Sequence, residues 1–256
     1  NYNNDGQLRK LQTKHNFNPI CGRYRFNTSS IPKTSVIITT QNEVHGLISL
    51  TATSILARTP PELLHEIIIV NDNGLNDDDG GASIQTKEDY INTQKELKRV
   101  QQLSPSKIKI ITNPKPQGCA RSRIIGAQKA SADILMFVDS HIEMESSTWL
   151  QHLLLPILEN PRTMSIQTID VMNDLGDTYD YVEEKNKNNE QYGVLNEEFF
   201  FSYVQNRFGN MGQEAVESPS DRLPYETPFG PGSLFAIRRD EFWRLGGYDY
   251  GLYVWG

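Results

Sequence analysis

Cysteine is scarce in this chain: Cys21 and Cys119 are the two in 256 residues. Two thiols make neither a disulfide scaffold nor a cysteine-rich zinc cluster. No apolar run approaches the roughly 20 residues that span a bilayer, and the chain opens without a signal-peptide pattern. A basic surplus is missing too. The formal net charge of −7 argues against a general nucleic-acid binder. It leaves room for an anionic small ligand held by a local Lys/Arg cluster. Internal repeats are absent. What is present is an ordinary globular composition, 37% hydrophobic and 22% charged. The length suits one large α/β domain or two small ones.

Residues 1–33 are polar, Asn-rich and aperiodic, which predicts an arm with little structure of its own. The triplet Asn27-Thr28-Ser29 would be a glycan acceptor in a luminal protein, although such triplets also arise by chance. From residue 34 strand and helix signals alternate. "TSVIITT" (34–40) is a β-branched strand, and "GLISLTATSIL" (46–56) has apolar residues at helical spacing and halts at "RTPP". "HEIIIVND" (65–72) is a second strand, followed by a Gly/Asp-rich loop (73–85) and a polar-faced helix (87–103). "SKIKIIT" (106–112) is a third strand, "QGCARSRIIGAQKA" (117–130) a Gly-led helix, and 133–138 a fourth strand.

This alternation of apolar strands with helices predicts an α/β fold with a mostly parallel central sheet covered on both faces. Crossovers are right-handed by default. Ligands of such sheets bind beyond the carboxyl ends of the strands, so the loops after Thr39, Val70, Thr112 and Val138 are where a site belongs. Later in the chain, "STWLQHLLLPILEN" (147–160) predicts a helix bent at Pro156. Residues 163–172 and 232–239 predict strands. An aromatic island at 198–208 interrupts the polar stretch 173–227, and this half reads as the side that receives a co-substrate.

The fourth strand ends in Asp139-Ser140-His141. If the backbone stays extended there, residues i and i+2 face the same way. Asp139 and His141 then point at one cation while Ser140 faces elsewhere. A carboxylate and an imidazole leave most of an octahedron for waters and phosphate oxygens, which suits Mn²⁺ and, less well, Mg²⁺. Asp-Ser after a strand is equally an ordinary turn or helix cap. Asp72, at another strand end, can accept from a base or ribose hydroxyl, or can cap the Asn-Gly turn that follows it. Gly118 opens a helix carrying Arg121 and Arg123, and helix starts and guanidinium forks both bind phosphate. The coincidence of these features describes a sugar-nucleotide site.

"SVIITTQNEV", "TPPELLHEIIIVND", "QGCARSR", "FVDSHIE", "GSLFAI" and "LGGYDYGLYVWG" occur in that order. The series resembles the polypeptide N-acetylgalactosaminyltransferases from about residue 20 to the last residue. The resemblance implies a GT-A nucleotide-diphospho-sugar fold and transfer of GalNAc from UDP-GalNAc to Ser or Thr of a polypeptide. Stereochemistry is retained and Mn²⁺ is required. By resemblance, Thr39 and Asp72 bind uridine, while Asp139 and His141 are metal ligands with Ser140 beside the nucleotide. Arg123 contacts the sugar, Gly232 and Ser233 line its pocket, and Trp255 sits in a flap over the donor. The resemblance also divides the chain into a nucleotide and metal half (34–145) and an acceptor half (146–256). It puts the full-length enzyme in the Golgi lumen behind an N-terminal anchor. No strong acid/base is required, because the leaving phosphate oxygen takes the acceptor's proton; Glu43 is the nearest carboxylate candidate.

The chain also departs from the family. Thr40 and Gln41 stand where an aromatic and a histidine are usual, Pro116 replaces an arginine, and Ser233 puts a side chain into a normally bare pocket. The family continues past Trp255-Gly256 with a glycine and glutamate that hold the sugar, a third metal-binding histidine and commonly a lectin domain. Its cysteine at the place of Cys21 pairs with one beyond that point. The expectation is therefore a piece of the catalytic domain, weak in UDP binding and turnover by itself. Two rivals remain: a GT-A transferase for another UDP-sugar such as UDP-glucose, and a non-catalytic interaction domain on a nucleotide-binding fold.

Overall fold

In the computed structural model, residues 26–43, 46–72, 87–144, 146–167, 191–195, 201–205, 232 and 234–252 are described. Four strands come first: β1 (Thr34–Thr40), β2 (Leu64–Asp72), β3 (Ile108–Asn113) and β4 (Ile134–Asp139). They alternate with α1 (Leu47–Arg58), α2 (Lys87–Leu103) and α3 (Cys119–Lys129), as the apolar runs predict. Then come α4 (Trp149–Glu159), the two-residue β5 (Ser165–Ile166), a separate antiparallel pair β6 (Gln191–Leu195) and β7 (Phe201–Gln205), β8 (Leu234–Arg238) and α5 (Arg239–Arg244).

The six-stranded sheet has the order β3-β2-β1-β4-β8-β5. β1, β2, β3 and β4 are mutually parallel, whereas β8 is antiparallel to both β4 and β5. The chain first builds outward from β1 to β3, then crosses back to lay β4 on the other side of β1. That reversal opens a crevice beyond the carboxyl ends of β1 and β4, the place where doubly wound sheets bind ligands. The register sets Thr39 directly beside Asp139 across the opening.

Alternate residues of the β-branched strands feed two cores, because side chains of a strand alternate faces. Val36, Ile38, Ile67, Ile69, Met136 and Val138 pack under α1, α2 and α4. Ile37, Ile68, Leu135 and Phe137 pack on the opposite face with Ala127 of α3 and Phe242 of α5. Gly126 permits the closest approach of α3 to the sheet: a Cβ there would lie 2.4 Å from Ile37 Cγ2. The arm expected at 1–33 is described only from residue 26, and Ile31 within it is buried in the first core. The predicted strand 163–172 is described only to residue 167 and pairs at Ser165 and Ile166. Among the described residues, no helix is long and apolar enough to cross a membrane.

Candidate sugar-nucleotide site

β4 carries Asp139 to the crevice, where the carboxylate is partly covered. Its Oδ1 accepts from Arg123 Nη2 at 2.9 Å. Arg123 comes from the second turn of α3 and is 6% exposed. Its Nη1 donates to the Tyr248 hydroxyl at 3.1 Å, and the guanidinium lies 5.7 Å from the centre of the Tyr248 ring. Tyr248 is in turn held by ring contacts with Phe137, Phe235 and Phe242 of the second core. Burial pushes the Asp139 carboxyl up from its ordinary range, and the charges of Arg123 and His141 oppose that rise.

After Asp139 the chain turns, so the extended geometry expected of Asp139-Ser140-His141 does not hold. Ser140 and His141 converge on one acceptor. Glu43 Oε2 takes the Ser140 hydroxyl at 2.6 Å and His141 Nδ1 at 3.0 Å. The turn is fixed by Thr51 of α1, whose hydroxyl donates to Ser140 O at 2.8 Å and accepts from Ile142 N at 3.0 Å. The hydrogen bond and charge of Glu43 raise the His141 pKa against the opposing effect of burial. The His141 side chain stays 57% exposed.

The other expected residues divide. Thr39 is 8% exposed at the end of β1, with Oγ1 3.8 Å from Cys119 Sγ. Asp72 is 3% exposed and engaged on both oxygens. Oδ1 accepts from Asn113 Nδ2 (2.8 Å) and Gln117 N (2.7 Å), and Oδ2 from Gly118 N (2.8 Å). It organises the loop before α3, and the backbone N–H of Gly118 is occupied by this protein carboxylate. The Asn73-Gly74 turn it was expected to cap lies outside the described residues. Arg121 diverges from Arg123, its Nε donating to Tyr250 O at 2.9 Å. Gly232 lies beside Arg123, since a Cβ there would sit 3.4 Å from Nη1. Ser233 and Trp255 lie outside the described residues.

Sequence reasoning did not find the partnership of Glu43 with Ser140 and His141, nor Tyr248 as a support of Arg123. The available signal for Glu43 was its place in the loop opening after β1. Among the described residues, no group of three or more His, Cys, Asp or Glu side chains is placed to hold a metal ion. Asp139 and His141 are nevertheless donors of the kind a divalent cation takes. A carboxylate with one oxygen outside the arginine pair and an imidazole oriented by a carboxylate are the ligand types of Mn²⁺ sites.

Known proteins resemble this chain in sequence and in fold. Polypeptide N-acetylgalactosaminyltransferase 8 of Drosophila melanogaster is 35% identical over 237 residues, 92% of this chain and 35% of that protein. Human polypeptide N-acetylgalactosaminyltransferase 10 is 34% identical over 238 residues, 93% of this chain and again 35% of the relative. The chain thus spans about a third of the length of the curated relatives it matches. Among solved structures, GalNAc-T7 with UDP, GalNAc and Mn²⁺ superposes with a TM-score of 0.69 at 26% identity, covering 89% of this chain and 38% of that one. Residues 88–246 match Glycosyl transferase family 2, a span that takes in α3, β4 and the turn bearing His141. With that match covering well over half its length, the chain belongs to glycosyl transferase family 2.

Proposed function

We propose that this chain is the donor-binding part of a polypeptide N-acetylgalactosaminyltransferase, which moves GalNAc from UDP-GalNAc to Ser or Thr of polypeptides and so begins mucin-type O-glycosylation. The observation that carries the reading is the pairing of Thr39 with Asp139 where the strand order reverses, with Arg123 on the Asp139 carboxylate and His141 two residues further on. The UDP, GalNAc and Mn²⁺ that accompany GalNAc-T7 support the choice of donor and metal.

Residues 34–145 supply the nucleotide and metal half, and 146–256 the acceptor half. Asp139 and His141 hold Mn²⁺, with Mg²⁺ a poorer fit to the imidazole; the bound cation would neutralise charge on the departing diphosphate. Thr39 borders the uridine. Asp72 serves it at one remove by fixing Gln117 and Gly118. Arg123, braced by Tyr248, directs its guanidinium toward the sugar and phosphate, and Gly232 leaves that surface bare. Arg121 braces the segment after α5. No side-chain base is required, because the leaving phosphate oxygen takes the acceptor's proton. The full-length enzyme works in the Golgi lumen.

Calorimetric titration of UDP, with and without Mn²⁺, tests the reading. Binding that appears or tightens at least tenfold with Mn²⁺, and disappears in Asp139→Ala, is the expected result. UDP binding indifferent to both Mn²⁺ and Asp139→Ala would leave the rival of a non-catalytic interaction domain.

A further inference from the structure

Glu43 lies in the loop between β1 and α1, and its carboxylate crosses the crevice to the turn after β4, where Ser140 and His141 both donate to Oε2. We infer that Glu43 is a positioning residue that fixes His141 in the tautomer whose Nε2 carries the lone pair for a divalent cation. This rests on the metal role given above to His141. An ionised carboxylate has acceptors only. The hydrogen of the 3.0 Å contact therefore sits on Nδ1, and the lone pair of the neutral ring lies on Nε2. A carboxylate behind a ligating histidine fixes the ring's orientation and raises its basicity.

Both ends of this bridge are anchored without help from a ligand. Asn42, just before Glu43, adopts φ +57, a left-handed conformation that asparagine tolerates better than most residues. The hydroxyl of Thr93 in α2 donates to Glu43 O at 3.1 Å. Glu96, one turn further along α2, accepts from Ser49 N in the first turn of α1 at 2.8 Å. α2 thus holds the Glu43 loop, and Thr51 of α1 holds the Ser140–Ile142 turn. The carboxylate joins two already fixed segments, and preorganisation of this kind is what a metal ligand needs.

The test uses this chain labelled with ¹⁵N-histidine, in wild-type, Glu43→Ala, Glu43→Gln and Asp139→Ala forms, with circular dichroism to verify that each is folded. Nitrogen shifts of His141 report the tautomer directly, and electron paramagnetic resonance of Mn²⁺ in the presence of UDP reports affinity. At a pH above the raised His141 pKa, wild type is expected to show a protonated Nδ1 and an unprotonated Nε2. Glu43→Ala should mix the tautomers and weaken Mn²⁺ by about 10- to 100-fold, the usual effect of removing such a partner. Glu43→Gln keeps an acceptor oxygen and should lose less than the alanine variant. Unchanged His141 shifts in Glu43→Ala, or Mn²⁺ affinity within about twofold of wild type, would overturn the role of Glu43. Should Asp139→Ala bind Mn²⁺ as well as wild type, the metal reading itself fails, and the nitrogen shifts alone then decide the tautomer claim.

Discussion

Replacing Glu66 with glutamine should remove an acid-sensitive brace from the end of the sheet opposite the crevice. Glu66 is 2% exposed and sits where the β1–β2 register slips, with Thr34 opposite Leu64 but Ser35 opposite Glu66. Its Oε1 accepts from Ser35 Oγ (2.8 Å), Ser131 N (2.9 Å) and Ser131 Oγ (2.8 Å), and Oε2 from Lys109 Nζ (2.6 Å). Burial alone would raise the carboxyl, but Lys109, Ser131 and Ser35 outweigh it and lower the pKa from 4.5 to about 2. A fall of that size corresponds to about 3 kcal/mol of stability at neutral pH. Lys109 is half exposed and screened by solvent, so about 2 kcal/mol is the figure to expect. Because the folded-state pKa is the depressed one, this stability is complete above about pH 5 and drains away as pH falls toward 2. Urea unfolding followed by circular dichroism at pH 7 and pH 3 isolates it as the difference between wild type and Glu66→Gln, other carboxylates cancelling. That difference should be about 2 kcal/mol at pH 7 and about 1.5 kcal/mol smaller at pH 3. A difference constant to within about 0.5 kcal/mol across the two pH values would refute the argument, since it would mean that Glu66 titrates normally in the fold.

Gly126→Ala should destabilise by about 1–3 kcal/mol in thermal melts, overpacking against Ile37 outweighing the gain in helix propensity; a higher Tm would show that α3 can lift off the sheet without cost. Tyr248→Phe leaves Arg123 Nη1 without its hydroxyl acceptor while keeping the edge-on ring contacts. It should cost about 1 kcal/mol of stability and weaken UDP binding in the presence of Mn²⁺ several-fold, with unaltered calorimetry counting against the brace.

The four parallel strands were legible because β-branched runs such as Val36–Ile38 and Ile67–Val70 are buried on both faces and carry no competing helical period. The direction of β8 was not, since "LFAIR" reads the same whichever way it pairs, and only Val138 opposite Leu234 reveals it. Asp139 and His141 were legible as a pair by proximity in sequence. Their actual geometry was not, because a turn held by Thr51 replaces the extended backbone. The bond from His141 to Glu43 joins residues 98 positions apart, and no local pattern encodes a contact made by loops from two strands. Asp72 was read as an acceptor for a base or ribose hydroxyl or for the turn after it; its donors here are the Asn113 side chain and the Gln117 and Gly118 backbone, which no local pattern in the sequence brings together.

β5 and β8 lie side by side with opposite directions, so the chain leaves β5 and comes back into β8 at the crevice end of the sheet. Everything in residues 167–233 is thereby tethered at two points roughly 5 Å apart, next to Gly232 and Arg123. Each doubling of such a tether's length costs only about 0.6 kcal/mol of closure entropy. Changes of length between β5 and β8 therefore leave every strand pairing that positions Asp139 as it is.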